Sequence, residues 1–100
     1  MRIISMHLLI KREKSIFLKN CYELGFISFL KRPWARDSLR FAARTSVNKI
    51  KLGETVKVEM SDMEEAVLYA HVDKNGLASV IVTDIKYPES AAKKVLIEML

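Results

Sequence analysis

Leu77-Ala78-Ser79-Val80-Ile81-Val82-Thr83 is an uncharged run of small and β-branched residues, held between Asn75-Gly76 and the polar stretch that ends at Pro88. A short run that is apolar on both alternating faces predicts a central strand, covered by other elements from both sides. Asn and Gly tolerate the positive φ angles of a type I′ turn, so Asn75-Gly76 predicts the reversal that delivers the chain into this strand. Pro88 has no N–H to leave unpaired and suits the first position of a helix. Ala91, Ala92, Val95, Leu96 and Met99 follow it at helical spacing. A buried strand feeding a docked helix therefore sets the architecture.

Other elements arrange themselves around that unit. Arg2–Ile10 predicts a strand with Ile4, Met6, Leu8 and Ile10 on one face and Ile3 and Leu9 on the other. Lys11-Arg12-Glu13-Lys14 reads as a polar reversal, and Ser15–Tyr22 as the hairpin partner. Phe26–Arg32, between Gly25 and Pro33, is too hydrophobic for a free loop and is expected to pack down. Trp34–Lys51 predicts a helix whose inner face carries Ala35, Leu39, Ala42, Ala43, Ser46 and Ile50, ended by Gly53. Thr55–Met60 alternates as an outer strand, Asp62–Glu65 turns the chain, and Ala66–Val72 returns as an apolar strand. The expected fold is α+β, with a five-stranded, mostly antiparallel sheet between helices (α/β/α) in the order β-β-α-β-β-β-α. The last helix runs apolar to Leu100 without a cap, so the domain spanning 1–100 is expected to be truncated at its C-terminus.

Composition narrows the function more by exclusion than by assertion. One hundred residues, half of them hydrophobic, make one folded domain. The single cysteine, Cys21, rules out an internal disulfide and fits a reducing, cytoplasmic setting. A net charge of +5 would suit an anionic partner, but the basic residues are spread out and interspersed with 12 acids, so no nucleic acid is expected. His7 and His71 stand apart from any Cys or carboxylate at ligand spacing, and Ser79 lacks a nucleophile elbow. The three glycines lie far apart and form no phosphate loop. No enzyme, metal site or cofactor is expected.

What remains is surface. At about 100° per residue, Trp34 and Phe41 project nearly opposite the inner face of the first helix. Two outward aromatics either lie under the connector Phe26–Leu30 or line a groove for a peptide, with Val56 and Val58 of the outer strand as its other wall. Arg36, Arg40 and Arg44 form an i, i+4 row beside them: a solvated face by default, a contact for an acidic partner or anionic lipid otherwise.

Phe26-Ile27-Ser28-Phe29-Leu30-Lys31-Arg32, the helix with Phe41, Tyr69-Ala70-His71-Val72 and Val82-Thr83-Asp84-Ile85-Lys86-Tyr87-Pro88 together resemble a longin domain. More narrowly, the chain is similar to the N-terminal domain of the lipid-anchored (prenylated) R-SNAREs, the synaptobrevin homologues, over nearly its whole length. The resemblance implies a profilin-like longin fold. It implies a regulatory, non-enzymatic domain that binds the SNARE segment of its own full-length chain, other SNAREs or a lipid tail through a groove beside the first helix, with Phe41 in contact. It implies a role in vesicle-mediated transport and membrane fusion at ER, Golgi or vacuolar membranes, on the cytosolic face. Family members continue into a further helix, a heptad-repeat segment and a C-terminal cysteine pair; none falls within these residues, and Cys21 lies elsewhere. The alternative is a stand-alone longin or profilin-like adaptor subunit of a tethering or sorting complex.

Overall fold

The computed structural model describes residues 3–11, 16–22, 32–60 and 66–100. Chain order gives β1 (Ile3–Ile10), β2 (Ile16–Tyr22), α1 (Arg32–Lys49), β3 (Thr55–Glu59), β4 (Ala66–Val72), β5 (Leu77–Asp84) and α2 (Glu89–Glu98). The strands form one five-stranded sheet in the order β2-β1-β5-β4-β3, antiparallel at every pairing. This is the α+β, longin-like architecture expected from the sequence. β5 stands at the centre, with Ala78 to Thr83 buried without a break. The reversal at 12–14, the connector Phe26–Leu30 and the Asp62–Glu65 turn lie outside the described residues.

Each face of the sheet carries one helix and one core. Under α1, Ala35, Leu39, Ala43 and Val47 pack on Leu68, Ala70 and Val72 of β4 and on Ala78, Val80 and Val82 of β5. Alanines at two of those four helix positions let the backbone come close to the sheet. Under α2, Ala92 and Leu96 pack on Val67, Tyr69 and Ile81. A fully buried leucine such as Leu39 or Leu96 contributes about 1.5–3 kcal/mol of burial. The buried Ser79 hydroxyl donates to the Leu96 carbonyl at 2.9 Å, so α2 is pinned as well as packed.

The structure corrects local details of the sequence reading. Ile3 pairs with Thr83 but Ser5 pairs with Val82, leaving Ile4 as an extra residue in β1. The bulge resets the alternation: Ile4 and Leu9 join the α1-side core, and Ile3 and Met6 the α2-side core, so Ile4 and Met6 do not share a face. A second irregularity, between Leu8↔Lys19 and Leu9↔Phe17, leaves Leu18 unpaired and half exposed.

The β4–β5 reversal is not a two-residue type I′ turn. Asp73 N–H donates to the Leu77 carbonyl at 2.9 Å and Gly76 N–H to the Asp73 carbonyl at 3.2 Å, so the loop holds three residues. Gly76 takes the left-handed position at φ +89°, and the Asp73 carboxylate accepts from the N–H groups of Asn75 and Leu77. Gly53, at φ +85°, sits in a turn beyond α1 and does not cap it; the helix ends at Lys49. Two carbonyls of its last turn, those of Val47 and Asn48, accept from Lys11 Nζ at 2.7 and 2.9 Å. Pro88 precedes α2 as its N-cap residue in extended conformation.

Candidate functional site

The inner stripe of α1 fixes where its other side chains point. With Ala35, Leu39, Ala43 and Val47 buried, Trp34 and Phe41 stand on the far side, 52% and 72% exposed. Phe41 leans over a shallow recess of about 180 Å³ whose other walls are Asp37, Arg40, Arg44 and Phe17. Phe17 comes from β2, brought beneath the helix by its pairing with Leu9 of β1. Arg40 and Arg44 lie over the Phe17 ring, their guanidinium carbons 5.3 and 5.0 Å from its centroid, within cation–π range.

Below Phe17 lies a buried polar cluster. His7 has no accessible surface, and the rings of Phe17 and Tyr22 meet it edge-on at 5.9 and 5.5 Å. His7 Nδ1 lies 2.6 Å from Asn20 Oδ1 and Nε2 lies 3.0 Å from Ser5 Oγ. With the amide oxygen facing the ring, Nδ1–H donates to Asn20 and Nε2 accepts from the Ser5 hydroxyl, which is the neutral tautomer. Burial holds His7 below its ordinary pKa; the Asn20 bond opposes this and the positive field of Arg40 adds to it. Burial likewise raises the Tyr22 phenol, against the fields of Arg40 and Arg36. The Tyr22 hydroxyl is buried and has no hydrogen-bond partner among the described residues.

β3 lies at the opposite edge of the sheet. Val56 is half-buried against the α1-side core, while Val58, on the same face, is 42% exposed. Across the strand, Lys57 Nζ meets Glu89 Oε1 at 3.1 Å, which ties this edge to α2. That hydrogen bond holds Lys57 above and Glu89 below their ordinary values. Thr55 Oγ1 lies 2.7 Å from His71 Nδ1.

The sheet order therefore divides the residues singled out in the sequence. Phe41 gathers with Arg40, Arg44 and Phe17 on the β2 side. Val56 and Val58 lie four inter-strand steps from β2, about 19 Å away. Trp34 stands on the crest of α1, one heptad before Phe41, and Arg36 is exposed on the flank that carries Arg40. The sequence reading missed Phe17 and Asp37; the pairing of Phe17 with Leu9 depends on the Leu18 bulge, which strand alternation does not show. A second recess of about 190 Å³, between Met6, Leu8, Lys19, Cys21 and Met99, lies on the α2 side.

Among the described residues no helix is long and apolar enough to cross a membrane. No protein-family model matches the chain. Over 79 residues, 79% of its length, it is 30% identical to the synaptobrevin homolog YKT6 of Dictyostelium discoideum. That stretch is 39% of the relative, so the chain spans about two-fifths of the length of the protein it matches.

Proposed function

We propose that this chain, as a longin, R-SNARE-like domain, serves vesicle trafficking as a regulatory binding module rather than an enzyme. Its outer α1 face would hold a SNARE segment, either that of its own full-length protein or that of another SNARE. The observation that carries the reading is the pair of large aromatics, Trp34 and Phe41, left on the solvent side of a helix whose core side is already full. Covering each completely would recover about 1.5–3 kcal/mol, a useful share of the affinity of a modest, reversible contact. An amphipathic segment lying along α1 would reach Trp34 and Phe41 with side chains about two turns apart, and the half-buried Val56 and exposed Val58 would border it on the β3 side.

The test is a titration of the isotope-labelled 100-residue chain with a synthetic SNARE segment. Shifts are expected at the Trp34 indole, the Phe41 ring and the amides of Val56 to Met60. Unchanged signals at large molar excess would sink the assignment.

A further inference from the structure

The flank of α1 that faces β2 carries a feature that the SNARE-segment reading does not use. Arg40 and Arg44 do not extend freely into solvent: both guanidinium groups rest on the Phe17 ring, at 5.3 and 5.0 Å. Stacking on one aromatic plate takes up a guanidinium's flat face and leaves its edge N–H groups available to an acceptor. Part of the ordering entropy that usually makes a surface arginine a weak contact has already been given up. Among the described residues no ion pair neutralises either one. Phe41, 72% exposed, closes the recess as an apolar wall, and among the described residues that line it Asp37 is the single acid against two arginines.

From these contacts we infer that the recess between α1 and β2 is a docking site for an acidic peptide. A carboxylate is taken by Arg40 and Arg44, and a neighbouring apolar side chain lies against Phe41. Size argues for a peptide: about 180 Å³ holds one side chain and falls short of the roughly 300–1,000 Å³ typical of a small-molecule pocket. Shape argues against an anionic membrane, because a recess that takes one side chain suits a peptide better than a flat surface of headgroups. The paired N–H groups of a guanidinium suit the paired oxygens of a carboxylate, and two guanidinium groups share the Phe17 ring here. The site shares Phe41 with the reading above but otherwise stands apart from it, about 19 Å from β3.

The test uses the 100-residue chain and three probes: a short peptide alternating glutamate with leucine and phenylalanine, the same peptide with glutamine for glutamate, and vesicles containing phosphatidylserine. The glutamate peptide is expected to shift the Phe17 and Phe41 rings and the Nε–H signals of Arg40 and Arg44. Its affinity should fall about tenfold in the glutamine peptide, and similarly in a chain carrying both Arg40→Gln and Arg44→Gln. The His7 and Tyr22 ring signals report that the double variant keeps its fold. Equal binding of the two peptides, indifference to the double variant, or a response to vesicles but not to the glutamate peptide would each overturn the proposal. The double variant leaves Val56 to Met60 intact, so a SNARE segment that still shifts those amides separates failure here from failure of the β3-side reading.

Discussion

His7 is the residue whose chemistry is most constrained by its surroundings. Its folded pKa lies below the ordinary 6.5, so between those two values the unfolded chain binds a proton that the folded chain does not. The stability this group contributes is therefore complete above pH 6.5 and declines as pH falls toward the folded value, by at most about 1.4 kcal/mol per pH unit. Melting temperatures between pH 5 and 8 should show this slope, and His7→Gln should flatten it in that window. Phe41 is the opposite case. At 72% exposed it contributes little to the core, so Phe41→Glu should change unfolding free energy by no more than about 0.5 kcal/mol while weakening SNARE-segment binding. Denaturant melts and the titration above read the two effects separately. The outward placement of Phe41 was legible from helical periodicity alone. The burial of His7 between Phe17 and Tyr22 was not, because it depends on how β2 is phased against β1.

Among the elements, α1 shows how a helix can be terminated from a distance. The carbonyls of Val47 and Asn48, in its last turn, are met by the ammonium of Lys11, from the far end of β1. The positive charge also sits at the negative end of the helix dipole. Lys11→Met, which keeps the aliphatic stem, should lower stability by about 1–2 kcal/mol in chemical denaturation. Sequence logic assigned this task to Gly53, since glycine is the common residue just past a helix; a partner 36 residues away leaves no local signature. The β4–β5 hairpin was half legible for a similar reason. Asn75-Gly76 marked the turn, but Asp73, which caps it through its side chain, set the loop at three residues. Gly76 is at φ +89° and a Cβ there would meet the Lys11 carbonyl at 3.3 Å, so Gly76→Ala should cost about 1–2 kcal/mol or more by the same assay.

Over the whole molecule, protection should follow the strand order β2-β1-β5-β4-β3. Amides of β5, paired on both sides and covered on both faces, should exchange with solvent most slowly, and those of β3 much faster; native-state hydrogen exchange checks the ranking. Element order and the central place of β5 were legible because a two-faced apolar run has few alternatives in a chain this short. The division of the surface into a β2 side and a β3 side was not, since it depends on which strands are neighbours in space. The same order bears on how the chain is made. β1 leaves the ribosome well before β5, yet its inner neighbour is β5, and Ile3 must find Thr83. At translation rates of about 5–20 residues per second, the β1–β2 hairpin, which ends at Tyr22, waits roughly 3–12 s for β5 to reach Asp84. Until then the edge of β1 that will carry the centre of the sheet is open to any other strand.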